Sequence, residues 1–227
     1  MADILITGGD SFMSSVPSLR RILWAVLEMA RAKRADNASR PPGERFAEMH
    51  RVRLGTKLPV YLPQRVTEEL VDLLREFRLE AHEVGIVQCV VQTHISSAME
   101  VTPYTARAVR RLLDAGWAVT NQEVFTVAAS RRGPTAKLRK VLGDIGVLPY
   151  YTFTTKGYLE NREVFTPNAR SVQEQVEEKS IGRVDLRYHS TLRRFIPNAQ
   201  TIIERIDALR QADEIPFLAT DRNMLNL

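Results

Sequence analysis

Asp10, His94 and Gln122 each stand just beyond a short run that reads as a β-strand, and their types suit recognition of a polar small molecule. Asp3-Ile4-Leu5-Ile6 leads into Thr7-Gly8-Gly9-Asp10. Gly8 and Gly9 let a ligand approach the backbone, and the Asp10 carboxylate offers an acceptor to a cationic amine. The same residues also read as a tight turn with a helix cap. A second run, Val52-Arg53-Leu54-Gly55, delivers Thr56-Lys57-Leu58-Pro59 and then Leu62-Pro63-Gln64-Arg65. A third, from Gly85 to Thr93, ends beside His94, and a fourth, opening at Trp117, ends on Asn121-Gln122. A lone histidine is more often structural than catalytic. The case for a site rests on several polar groups at successive strand ends, because parallel α/β folds bind ligands at those ends.

Other chemistries find no support. There is no Gly-x-Ser-x-Gly elbow, no glycine-rich Lys-Ser/Thr phosphate loop and no His-Glu-x-x-His pair. His50, His82 and His189 lack ligand spacing, so no protein-only metal site is expected. Cys89 is the single cysteine, which excludes an internal disulfide framework and any site built from several thiolates of this chain. The 227 residues are 44% hydrophobic and 26% charged, the balance of a globular domain with a full core rather than of a disordered chain. No apolar run of about 18 residues is present, and no basic segment followed by an apolar one opens the chain. A membrane span and a secretory signal are not expected, and a cytoplasmic location is. The formal charge of +5 leaves room for a nucleic-acid partner. Arg20-Arg21, Arg110-Arg111, Arg131-Arg132 and Arg193-Arg194 are separated by acidic residues, however, and no basic block alternates with aromatics. Solvated faces with a few anion-binding arginines are the simpler reading.

The elements that would hold these residues repeat a βα rhythm. Leu19, Ile22, Leu23, Val26, Leu27 and Ala30 recur at helical spacing after Pro17-Ser18, with a loop from Asn37 to Gly43. Thr67 reads as an N-cap ahead of Glu68-Glu69, with Leu70, Leu73, Leu74 and Phe77 on one face. Thr102-Pro103 opens a further helix that stops at Gly116. A fourth helix is expected from Thr135 to Asp144, and Val147 to Phe153 begins a fifth unit. The strands read as apolar throughout, as if covered on both faces. Strands alternating with helices predict an α/β fold with a parallel sheet, either doubly wound or most of an open barrel. The remainder differs: a polar helix over 171–180, a mixed stretch over 183–198, an amphipathic helix around 202–209 and a strand at 217–219. The chain ends where a loop after that strand would begin, which reads as a truncation.

The order and spacing of these motifs resemble those of the lysine 2,3-aminomutase family of radical S-adenosylmethionine enzymes. The resemblance is carried by Asp3–Asp10, by Arg53-Leu54-Gly55-Thr56-Lys57-Leu58-Pro59-Val60, by Leu62-Pro63-Gln64-Arg65-Val66-Thr67, by Thr93-His94 and by Ala115-Gly116. Asn121-Gln122-Glu123-Val124 and Pro149-Tyr150-Tyr151 complete it. It implies a partial parallel (β/α)₆ barrel over residues 1–167, covering units two to six, with a C-terminal helical extension over 168–227. It also implies S-adenosylmethionine, a 4Fe–4S cluster that reduces it to a 5′-deoxyadenosyl radical, and pyridoxal phosphate holding an amino-acid substrate while its nitrogen moves between the α and β carbons. By match, Gly8, Gly9 and Asp10 would hold the methionyl amine, and His94 and Gln122 would line the adenosine site with Thr56 nearby.

The departures from the pattern matter too. The family's Cys-x-x-x-Cys-x-x-Cys motif is absent, as are its upstream arginines for the substrate carboxylate and the cofactor phosphate and its imine-forming lysine segment. The expectation is an internal fragment or mis-started product, inactive alone, or a split subunit completed by another chain. Its first and last strands would be open edges, prone to pairing with a second copy. Lysine-specific members place an aspartate seven residues beyond the proline of Pro-Tyr-Tyr, and counting from Pro149 gives Lys156. A cation there repels lysine and attracts a second carboxylate. The other specificity position aligns with Asn226. Both favour a neutral or acidic substrate, with glutamate the best candidate, although Lys156 also reads as a solvated loop residue. The alternative function is a non-catalytic domain that binds S-adenosylmethionine or adenosine, or another partner, without redox chemistry. A basic nucleic-acid-binding protein is the third reading, suggested by charge alone.

Overall fold

The computed structural model of the chain describes residues 2–126, 134–153 and 163–164, together with positions 204, 208 and 211. Lys156 and Asn226 lie outside the described residues, as do the elements expected over 171–180, 183–198 and 217–219 and nearly all of the expected extension over 168–227. Within the expected 202–209 helix, positions 204 and 208 are helical.

Five strands, β1 (Asp3–Ile6), β2 (Arg51–Gly55), β3 (Gln88–Thr93), β4 (Ala118–Val124) and β5 (Leu148–Phe153), form one sheet in sequence order. Pairing from β1 to β4 is parallel, with Ile6 beside Leu54, Leu54 beside Val91 and Val91 beside Val119. Parallel neighbours need crossovers, and every connection contains a helix. These are α1 (Val16–Ala38), α2 (Leu58–Tyr61) with α3 (Glu68–Glu83), α4 (Pro103–Asp114) and α5 (Pro134–Asp144). A doubly wound sheet grows both ways from its first strand and so breaks sequential order. This sheet does not, and of the two expected architectures the partial barrel is the one it matches.

The helices begin and end where the residues dictate. The Ser15 side chain accepts from Ser18 N–H, Thr67 from Leu70 N–H and Thr102 from Thr105 N–H, each satisfying a donor that the first turn leaves free. Gly116 sits at φ 82° just past α4, the left-handed stop that glycine adopts most easily. Several boundaries differ by a few residues from those the sequence predicts, two of them for a clear physical reason. Helix α1 continues through Asn37, whose buried side chain bonds both the N–H and the carbonyl of Phe46. Strand β3 begins at Gln88 rather than Gly85, because Gly85 (φ 84°) forms the turn that closes α3.

The strands are not apolar throughout, and this is a correction of substance. Burial alternates along β2, where Val52 and Leu54 are fully buried and Arg51, Arg53 and Gly55 are not. On the apolar face, Val52, Leu54, Val91 and Val119 join the buried residues of α3, Leu70, Leu73, Leu74 and Phe77. Helix α1 packs against α3, and α3 against α4. The Phe77 ring lies 6.2 Å from Trp24 and 5.8 Å from Trp117. Buried Trp117 donates its indole N–H to the Leu74 carbonyl at 2.9 Å, as a buried indole must.

The opposite face is polar. Arg51 and Arg53 both pair with Asp3 of β1, each at 2.9 Å. Arg53 also donates to Gln92 Oε1 at 3.3 Å. Asp3, with Tyr150 second, raises the pKa of Arg51 above its ordinary value. Tyr150 stands on β5, three strands from β2, which in a flat sheet would be about 14 Å. That Tyr150 acts on Arg51 across two intervening strands is consistent with a sheet that curls toward its polar face, as a barrel wall does.

Two compact units can be distinguished. The first comprises residues 1–95, 99–122 and 141–151 and contains all the contacts above; the second comprises 96–98, 123–140 and 152–227. In the second, Phe125 is buried and donates its N–H to the Phe153 carbonyl at 2.9 Å.

Candidate nucleoside-binding site

The loop after β1 is shaped by two consecutive left-handed residues, Gly8 at φ 122° and Gly9 at φ 85°. No atom lies within 4 Å of where a Cβ would stand at either position. Backbone conformation therefore selects glycine, and the loop presents bare main chain to open space. Asp10 follows, and its carboxylate is heavily used. Oδ1 accepts from Phe12 N–H at 3.0 Å and from the Thr56 hydroxyl at 2.6 Å, and Oδ2 accepts from Lys57 N–H at 2.5 Å. Asp10 is thus the expected cap of a short 3₁₀ turn (Ser11–Met13) and also a tie between the loops after β1 and β2. A carboxylate has about four lone-pair positions, so these three bonds leave capacity for one further donor.

Thr56 is 3% exposed and faces inward. Its hydroxyl donates to Asp10 and accepts from Leu58 N–H at 3.1 Å, and its own N–H donates to the Gln92 carbonyl. These bonds give Thr56 the task of orienting Asp10.

His94 follows the last residue of β3, whereas Gln122 lies inside β4, which continues to Val124 rather than ending on Asn121-Gln122; both are half-buried. Burial first, and the Lys57 ammonium second, hold the His94 imidazole below its ordinary pKa. A hydrogen bond to the Gln122 backbone and the charge of Asp10 oppose that shift. Lys57, Asp10 and the Gln122 backbone thus all lie near enough to act on the His94 imidazole. Lys57 lies over the Tyr61 ring, 4.5 Å from its centroid.

Of the expected site residues, Asp10 and Thr56 are hydrogen-bonded to each other, and His94 feels the charge of Asp10 and bonds the backbone of Gln122. Asn121 enters the sequence motifs without a role of its own. That side chain is 2% exposed and clasps the chain after His94 from both sides, accepting from Ile95 N–H at 2.6 Å and donating to the Ile95 carbonyl at 2.9 Å. Asparagine is depleted in strands, so its presence inside β4 was a usable signal. Lys57 was quoted only as part of a motif, although it sets the electrostatics of His94. Among the described residues, no three His, Cys, Asp or Glu side chains group as metal ligands. No described helix is long and apolar enough to cross a membrane.

No family model matches the chain. Curated relatives do. An uncharacterized KamA family protein of Methanocaldococcus jannaschii is 35% identical over 181 residues, 78% of this chain and 25% of that protein. The L-lysine 2,3-aminomutase of Clostridium subterminale is 28% identical over 172 residues, 75% of this chain and 35% of the enzyme. The glutamate 2,3-aminomutase of Clostridioides difficile is 30% identical over 155 residues, 68% of this chain and 31% of the enzyme. The chain thus spans between a quarter and about a third of the length of these relatives.

Proposed function

This chain belongs to the lysine 2,3-aminomutase family, and we propose that it forms the nucleoside-binding strand ends of a radical S-adenosylmethionine 2,3-aminomutase. The observation that supports the reading is the Asp10 carboxylate, fixed by Thr56 and Lys57 N–H directly after the bare Gly8-Gly9 backbone, with its charge felt by His94. The open Gly8-Gly9 main chain and the remaining acceptor capacity of Asp10 suit the methionyl ammonium. The neutral His94 edge and the Gln122 carboxamide suit adenine and ribose. Thr56 and Asn121 hold the ligating groups in place. When bound, S-adenosylmethionine supplies the hydrogen-abstracting radical of the family's chemistry.

A 4Fe–4S cluster does not fit the thiol of this chain. Cys89 lies on the apolar face at 3% exposure, and burial pushes its pKa up to about 12. A cluster ligand must be a thiolate, so Cys89 is not one. Pyridoxal phosphate is assigned no ligand among the described residues.

Calorimetric titration with S-adenosylmethionine tests the reading. The expected result is saturable binding that weakens at least tenfold in Gln122→Ala and in Gly9→Val. Equal binding by both variants and the parent chain would overturn it. A second reading, nucleoside binding without catalysis, is favoured by the inert Cys89. It predicts binding with no release of 5′-deoxyadenosine when reductant is added to an enzyme carrying this segment.

For the substrate the proposal is glutamate, supported by the lysine at position 156 where lysine-specific members carry aspartate. Relatives named for lysine and for glutamate match at similar identity, so the test is direct. An enzyme carrying this segment should turn over glutamate faster than lysine, and Lys156→Asp should narrow or invert that ratio. Preferential turnover of lysine by the parent enzyme would end this part of the proposal.

A further inference from the structure

On the polar face, one residue layer below His94 and Gln122, two buried groups have no partner among the described residues. Gln92 is 2% exposed and Thr120 is 8% exposed, yet Gln92 Nε2 and Thr120 Oγ1 make no hydrogen bond. The two residues are register partners on β3 and β4. They therefore share a face, with their strands about 4.8 Å apart. Native proteins seldom leave such atoms unmatched, and pairs of them on one wall point to something that binds there. The Gln92 amide is oriented by Arg53, whose Nη1 donates to Oε1 at 3.3 Å. Its NH2 group is consequently the end left over. Arg53 adds charge from the next strand. Its Nε is engaged by Asp3 Oδ1 at 2.9 Å, and its Nη2 group donates to no described residue.

We infer that Gln92 Nε2, Thr120 Oγ1 and the Arg53 guanidinium form a carboxylate-binding subsite on the curled polar face. All three can donate hydrogen bonds, so the site asks for an acceptor. Arg51 and Arg53 share the single carboxylate of Asp3, which leaves one positive charge in surplus. One surplus charge and a few converging donors match a planar monoanion with two oxygens rather than a phosphate dianion. None of these residues belongs to the set at Asp10, His94 and Gln122. That the carboxylate belongs to an amino acid rests on the aminomutase reading; the existence of the subsite does not.

The test is solution NMR of the full chain, following the Gln92 side-chain amide during titration with propionate. The neutral isostere propionamide and inorganic phosphate serve as parallel probes. A saturable shift of the Gln92 NH2 signals with propionate, absent with propionamide, is the expected result. Thr120→Val, which keeps the side-chain shape and removes the donor, should weaken propionate binding about tenfold or more. It should leave S-adenosylmethionine binding unchanged. An unmoved Gln92 signal, equal affinity in Thr120→Val, or tighter binding of phosphate than of propionate would each overturn the subsite. So would a response to propionamide equal to that of propionate, the behaviour of a buried water exchanging with any polar solute. Failure of S-adenosylmethionine binding with propionate binding intact would instead count against the aminomutase reading.

Discussion

The two faces of this sheet obey different rules. On one, Val52, Leu54, Val91 and Val119 are sealed under helices, and Trp117 finds its carbonyl. On the other, Asp3, Arg51 and Arg53 remain partly open to solvent, and Gln92 and Thr120 are buried with unmatched atoms. Alternating residues of the same strands supply both. The apolar face stabilises the fold, whereas the polar face and the mouth above it carry groups that make sense only with a ligand. Damage to the first should therefore lower stability, and damage to the second should lower affinity.

Substitutions can break this division or sharpen it. The largest loss is expected from Phe77→Ala, which empties a site between two tryptophans and should cost about 3–5 kcal/mol in urea unfolding. S-adenosylmethionine should still bind in the folded fraction. Asn121→Ala comes next. It strands the N–H and carbonyl of Ile95, at a cost on the order of 1–3 kcal/mol. It should also weaken nucleoside binding, because the segment carrying His94 loses its clasp. A loss of stability with unchanged affinity would assign Asn121 to the fold alone. Arg53→Met should cost on the order of 1–2 kcal/mol, because the partly exposed pair with Asp3 contributes little but the buried Gln92 Oε1 loses its donor. Its readout is the loss of propionate binding.

The smallest effect is a pH dependence. The folded-state pKa of His94 lies below its unfolded value, so the unfolded chain binds more protons between the two. Stability should therefore be complete above the unfolded value near 6.5 and fall as the solution is acidified through that value toward the folded pKa. His94→Gln should flatten this part of the profile in thermal melts at stepped pH.

Much of the frame could be read from local residues. Thr67 and Thr102-Pro103 announced helix starts and Gly116 a stop, because capping is settled within a few positions of the chain. The alternation of strands and helices fixed the class, and the strand-end motifs put Asp10 and His94 on loops at the same end of one sheet. The polar face was not legible in the same way. Arg53 meets Asp3 across fifty positions of sequence and Gln92 across thirty-nine, and no local pattern encodes such pairings. Reading β2 as apolar throughout hid the alternation of Arg51, Val52, Arg53 and Leu54, although the residue types were in plain view. Asp10 shows that a cap and a candidate ligand position need not be rival readings. The same carboxylate does the first and keeps capacity for the second.

Strand order has a temporal side as well. Because every strand from β2 onward joins the one synthesised immediately before it, the nascent chain never has to hold an unpaired strand in reserve for a distant mate. Growth can proceed stave by stave as the polypeptide emerges from the ribosome, each strand arriving with the helix-bearing crossover that precedes it.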